Sequence, residues 1–292
     1  MFIRDLIRDS EPSISFEFFP PKTDAGEDKL LGVIRDELAP LNPTFVSCTY
    51  GAGGSSRDRT LRVVERIASE TDVTPMAHLT IVGHRPGELE AIVSDLAAAG
   101  IENILALGGD PPADDDAFVQ PEDAFEHAIE LVRLVHAHAS GDFSVGCAGF
   151  PEVHPAAPDM ETDVGHMIDK VKAGVDFILT QFFFEADHYW RFVETAERMG
   201  KPDEVPIIPG IMPVTNIKQI TRMAELSGAD FPPWLAEKLE AAGDDADAMA
   251  AVGIAEATKL CGELLDAGAP GLHFYTLNKS PATRQIYSNL DL

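Results

Sequence analysis

The 292-residue chain sets 22 Lys and Arg against 49 Asp and Glu, a formal charge of −27, and is 45% hydrophobic. That hydrophobic share supports a sizeable core, while so negative a surface repels nucleic acid and anionic lipid and excludes general binding to either. The three cysteines, Cys48, Cys147 and Cys261, are widely spaced and form no CxxC pair, so neither a disulfide framework nor a metal site is expected.

The opening MFIRDLIRDS is too short and too charged for a signal peptide, and no apolar run approaches membrane-spanning length, so a cytoplasmic protein is expected. The first strand pattern, 14–18 (ISFEF), sets one carboxylate, Glu17, among phenylalanines, and two prolines follow it. Apolar and β-branched runs then alternate with amphipathic ones. Strands are predicted at 44–49, 75–81, 102–107, 143–148, 177–182, 206–211 and 271–276, with helices over 25–38, 58–70, 86–99, 121–139, 162–174 and 186–199. Gly100, Gly174 and Gly200 stand where helices should stop. Three more helices, near 216–226, 232–241 and 246–267, fill the longer gap before the last strand. The acidic PPADDDA at 111–117 reads as a solvated loop.

Eight strands each followed by helix, in a chain near the typical ~250 residues, predict a (β/α)8 TIM barrel, with residues 1–292 as one domain. A doubly wound open sheet is the rival, but EFFPPKTDAGE after the first strand is not its glycine-rich fingerprint. A barrel places chemistry at the C-terminal ends of its strands. There the sequence has Glu17, TYGAGG (49–54), His78, Thr80, GGDPP (108–112), FPEVHP (150–155), Gln181, GIMPVTN and HFYTLNK (273–279). Taken singly each has a plainer reading: Glu17 as a strand-edge acid facing water, His78 as a satisfied core histidine, Asp110 as a turn former, and Tyr50 and Tyr275 as packing residues.

Taken together, SFEFFPPK, FVSCTYGAGGSSRDRT, MAHLT, LALGGDPP, FPEVHP, TQFFF, IIPGIMPV and LHFYTLN, in order over residues 13–290, resemble methylenetetrahydrofolate reductase of the short bacterial type, its catalytic domain alone. The resemblance implies a barrel carrying FAD. It also implies ping-pong reduction of 5,10-methylenetetrahydrofolate to 5-methyltetrahydrofolate by NADH or NADPH, in one-carbon metabolism and methionine biosynthesis. Glu17 matches the acid that protonates the folate as its methylene bridge opens, and its phenylalanine neighbours are expected to keep it protonated. Strand alternation should turn Glu17 into the lumen and Phe16 and Phe18 outward.

Asp110 matches an aspartate between flavin and pterin, placed to stabilise the cationic iminium. Gln181, Tyr275 and Lys279 match substrate contacts, Lys279 standing where arginine is common, and Thr49 matches a nicotinamide contact. Thr49, Tyr50, Ala52, His78, Gly108, Gly109, Asp110, Ala128, Phe150, His154, Asp163, His166 and Lys170 match the FAD lining. Gly108 replaces an arginine that helps hold FAD, Phe150 replaces a frequent tyrosine, and Asp169 stands where some members have another arginine. Direct hydride transfer without flavin and a non-catalytic folate- or flavin-binding barrel are the alternatives. A folate-dependent methyltransferase would want a zinc-binding cysteine cluster, which this sequence lacks. Partners are expected to be the folate and the nicotinamide, with no metal, nucleic acid or membrane; a homo-oligomer is left open.

Overall fold

The computed structural model describes residues 1–50, 57–111, 117–139, 141–243 and 245–292, and the backbone alone of Arg57. The chain begins with α1 (Ile3–Asp9), then β1 (Ser13–Phe18), α2 (Asp24–Val33), β2 (Phe45–Cys48), α3 (Arg57–Glu70), β3 (Pro75–Thr80) and α4 (Pro86–Ala98). It continues through β4 (Asn103–Leu107), α5 (Ala128–Ala137), β5 (Ser144–Gly149), α6 (Met160–Lys172), β6 (Phe177–Phe182), α7 (Ala186–Arg198) and β7 (Ile207–Ile211). After α8 (Ile217–Ser227), α9 (Pro233–Glu240) and α10 (Ala246–Asp266) come β8 (Gly271–Tyr275) and α11 (Pro281–Asn289). The eight strands pair in parallel and close, β8 against β1, into one barrel.

Helix starts are written in side chains. Thr23 Oγ1 accepts the Gly26 N–H, Asp159 Oδ1 the Thr162 N–H and Asn216 Oδ1 the Gln219 N–H, each filling a donor that a first turn leaves open. Gly100, Gly174 and Gly200 close α4, α6 and α7 with positive φ, as expected.

The helix expected over 121–139 is shorter. Glu130 reaches back to accept the N–H groups of Glu126 and His127, at 2.8 and 3.0 Å, which caps the helix at Ala128 and leaves 121–127 in turns. Two helices lie outside the sequence expectation, α1 and α11, because seven- and nine-residue segments offer too few turns for a periodic signal.

The strands are buried on both faces. Outward residues such as Phe16, Phe18, Val46 and Phe274 pack on the helix ring. Inward residues Phe45, Met76, Leu105, Phe177, Leu179 and Ile208 fill the lumen together with Ile3 and Ile7 of α1. Helix α1 therefore plugs the N-terminal mouth. Asn103 Oδ1 takes the Ile3 N–H at 2.8 Å and Ser144 Oγ the Arg4 N–H at 3.0 Å, both from the first residues of their strands.

Among the described residues the sheet has one irregularity, and it lies beside the open mouth. Leu179 pairs with Ile208 but Phe182 with Gly210, so β6 spends an extra residue there. Thr180 Oγ1, rather than a carbonyl, accepts the Gly210 N–H at 2.8 Å. Thr180 O is left to accept the Tyr275 hydroxyl at 2.7 Å. Gly210 must lack a side chain, since a Cβ would come within 2.2 Å of Thr180 O and 2.7 Å of the Tyr275 ring.

Candidate active site

Alternation turns Ser13, Ser15 and Glu17 of β1 into the lumen, and register sets Glu17 opposite Ser47 of β2 and Tyr275 of β8. Glu17 is 7% exposed. Its Oε2 lies 3.2 Å from His78 Nε2 and 3.2 Å from His273 Nε2, and it accepts the Ser47 hydroxyl at 3.3 Å. The His273 contact is an aligned hydrogen bond, whereas His78 meets the carboxylate at ion-pair distance but out of line. On its far side His273 Nδ1 is 2.8 Å from Ser15 Oγ. The backbone is pinned too: Glu17 O accepts both the N–H and the hydroxyl of Thr276.

Burial pushes the Glu17 carboxyl up, but the nearby His78 imidazole and the hydrogen bond from His273 overcome that push and hold it down to about 2. This corrects the expectation of a carboxyl kept protonated by apolar neighbours. Phe16 and Phe18 do point outward, and Phe19 is 44% exposed, so no phenylalanine encloses the acid. The lumen meets Glu17 with imidazole instead.

A second wall rises from the loop after β5. Phe150 and His154 meet edge to face at 4.5 Å. The His154 N–H donates to Asp163 of α6 at 2.9 Å, and Lys170, two turns on, reaches Ala148 O at 3.4 Å. Phe150 and Gln181 line one small cleft with Glu152 and Phe182. Thr49 caps β2, its N–H on Phe18 O at 2.8 Å, and the buried Tyr50 hydroxyl lies 3.1 Å from His84 Nε2.

Gly108 to Asp110 form the exposed loop after β4, where Gly109 takes a positive φ of 80° and packs so closely that a Cβ would come within 2.7 Å of Thr80 and Val82. Ala128 opens α5. His166 and Lys279 are exposed, and Ala52 lies outside the described residues. Tyr275, assigned to substrate, already spends its hydroxyl on Thr180 O.

Three residues of the Glu17 cluster had no role in the sequence reading: His273, Ser47 and Ser15. The signal for His273 was available, because period-two alternation over 271–275 puts it on the same face as Tyr275. Ser15 and Ser47 carry no such signal, since small polar residues in strands are common.

The rim is suited to a flat polar ligand. Thr80 Oγ1 is buried with no hydrogen-bond partner, and His78 Nε2 makes only its unaligned contact. Such orphaned groups are costly unless a ligand or water completes them. Along the second wall Lys170, His154 and the exposed His166 supply donors of the kind a diphosphate cofactor requires.

The chain matches the family model "Methylenetetrahydrofolate reductase" over residues 2–291. It is 38% identical over 278 residues to 5,10-methylenetetrahydrofolate reductase of Escherichia coli K12, covering 95% of this chain and 90% of that protein. It is 37% identical over 299 residues to methylenetetrahydrofolate reductase (NADH) 1 of Arabidopsis thaliana, where 99% of this chain spans 50% of the plant protein. A Clostridium thermocellum protein that binds two copies of 5-methyl-5,6,7,8-tetrahydrofolic acid superposes with a TM-score of 0.65, covering 100% of this chain and 98% of that one. At 16% identity that likeness shows the fold alone. With its motifs in register from the first strand to the last, the chain belongs to the methylenetetrahydrofolate reductase family.

Proposed function

We propose that this protein reduces 5,10-methylenetetrahydrofolate to 5-methyltetrahydrofolate with electrons from NADH or NADPH. The observation that carries the reading is Glu17, a buried carboxylate at the open mouth of the barrel, linked through His273 to Ser15. Bound FAD would supply hydride transfer between the nicotinamide and the folate. Thr49, Tyr50, His78, Gly109, Ala128, Phe150, His154, Asp163, His166 and Lys170 are the residues that would hold it, and the family resemblance adds Ala52.

The chain's own part is acid chemistry and placement. Opening the methylene bridge to an iminium requires a proton on the departing nitrogen, and Glu17 delivers it. Because the resting carboxylate is ionised, that proton comes from the imidazole side. His273, set between Ser15 Oγ and Glu17 Oε2, is placed to relay that proton to the carboxylate. The Ser15 hydroxyl can itself turn to donate to Leu272 O at 3.5 Å. Asp110 places a negative charge near the cationic iminium. Gln181 offers both a donor and an acceptor to the pterin, and Lys279 offers its charge to the anionic folate tail.

The deciding experiment is anaerobic NADH and NADPH oxidation by purified protein, with and without added FAD and methylenetetrahydrofolate, together with an absorption spectrum. Folate-dependent oxidation accompanied by a flavin band supports the full reading. Oxidation without flavin transfers the role to direct hydride transfer, a second reading favoured by Gly108, where the expected arginine is missing. No oxidation in any arm leaves a binding barrel.

A further inference from the structure

Helices α8 and α9 form an arm beside the open mouth, sharing a small core with the ends of β6 and β7 that includes Phe182, Met212, Ile220 and Leu235. The turn between them settles on the loop after β5. A Cβ on Gly228 would come within 2.9 Å of Pro155 Cγ, and the Asp230 N–H donates to Glu152 Oε1 at 2.9 Å. The same oxygen lies 2.7 Å from His188 Nδ1 of α7, a close polar contact out of line for a hydrogen bond. His188 Nε2 is 3.8 Å from Glu185 Oε2, and Glu185 Oε1 accepts the Trp234 indole N–H at 2.9 Å. One polar chain thus ties the arm down at two points, Asp230 and Trp234.

The residue after Glu152 is Val153, and its φ is +72°. A β-branched residue in the left-handed region is a true outlier, and it persists only where its surroundings over-determine it. Here both neighbours are pinned: Glu152 by the arm and His188, and His154 by Asp163. On either side of the strained bond stand Phe150 and His154, which touch each other at 4.5 Å.

We propose that His188 is a positioning residue: by holding Glu152 it keeps Val153 left-handed, so that the Phe150–His154 wall takes its shape only while the α8–α9 arm is seated. Its consequence for turnover rests on the function proposed above; the clasp itself does not. The wall and the arm then form one two-state element rather than two loops.

The test uses the full chain with His188→Ala, Glu152→Gln, Val153→Gly and the double variant His188→Ala with Val153→Gly. Hydrogen–deuterium exchange is followed in peptides covering 150–157 and 227–231. Steady-state kinetics are measured on the same preparations. His188→Ala should speed exchange about tenfold in both segments, with the rest of the barrel unchanged, and raise several-fold the FAD concentration needed for half-maximal activity, since Phe150 and His154 belong to the wall assigned to that cofactor. Glu152→Gln should do the same more weakly, because its amide oxygen still accepts the Asp230 N–H. Glycine adopts positive φ at no cost, so in the double variant exchange at 227–231 and the FAD requirement should return toward wild type. A lost packing contact would not be rescued in this way. Unchanged exchange in His188→Ala, or a double variant worse than the single one, overturns the proposal. Exchange is read whether or not the protein reduces folate, so a failed assay bears on the reaction and not on the clasp.

Discussion

The two ends of one lumen are built in opposite ways. At the floor, Ile3 and Ile7 of α1 close over Phe45, Met76 and Phe177, all buried apolar surface. At the open mouth, the same inward-facing register delivers Glu17, Ser47, His78 and His273. Strand β1 supplies Ser13 and Ser15 on the way to Glu17, and β3 turns from Met76 to His78 in two residues. Alternation decides which side chains enter the barrel, and position along the axis decides whether they serve cohesion or chemistry. A dry floor also lowers the local dielectric, which strengthens every interaction at the cluster above it.

The sharpest way to break this contrast is Glu17→Gln at the mouth. Folate reduction should fall by about 10²–10⁴, the span a general acid usually supplies, while nicotinamide-driven flavin reduction is retained. Stopped-flow measurement of the two half-reactions decides it, and equal losses would make Glu17 a structural residue.

Ile3→Ala at the floor should do the reverse. It removes buried methyl groups from a fully buried site, costing about 2–5 kcal/mol in denaturant unfolding, with kcat of the folded protein unchanged.

The mouth also makes its own contribution to stability, and pH reveals it. Held down to about 2 in the folded chain, Glu17 contributes stability that is fully present above its unfolded value near 4.5 and is lost as pH falls toward 2. The contribution is on the order of 3 kcal/mol. Unfolding midpoints of wild type and Glu17→Gln should therefore converge as pH falls from about 4.5 toward 2. A gap that does not narrow would show the carboxylate unshifted.

Gly108→Arg should tighten FAD about tenfold, the scale of one charged hydrogen bond regained. Among the described residues nothing lies within 4 Å of a Cβ built there, which leaves room for the larger side chain. FAD titration and the ligand-dependent rise in Tm measure it, and no change would mean another group already fills the role. The smallest effect belongs to Lys279→Ala: a KM raised a few-fold, more for polyglutamylated folate, with kcat nearly constant.

The barrel was legible because eight apolar runs alternating with amphipathic helices leave few other closures. All eight strand spans end within a residue of the sequence reading at both ends, and strand alternation alone put Glu17 inside. What Glu17 meets there was not legible. The contact with His273 spans 256 residues of chain and arises from β8 closing on β1, which no local pattern encodes. The carboxyl's charge state followed from that contact, so reading its sequence neighbours alone gave the wrong sign. Val153 was hidden for a related reason, because its backbone is held by residues on three other elements.

The indole bond between Trp234 and Glu185 has a practical consequence. The chain holds two tryptophans, and the other, Trp190, lies in α7 with its ring 4.8 Å from Tyr189. Trp234 is 37% exposed, with the Lys238 ammonium 5.1 Å above its ring. Lifting the arm would strip the indole of its carboxylate and bring water to it, while Trp190 stays in place. The protein thus carries its own optical gauge, and with Trp190→Phe as background its emission would report the seating of the arm without any attached dye.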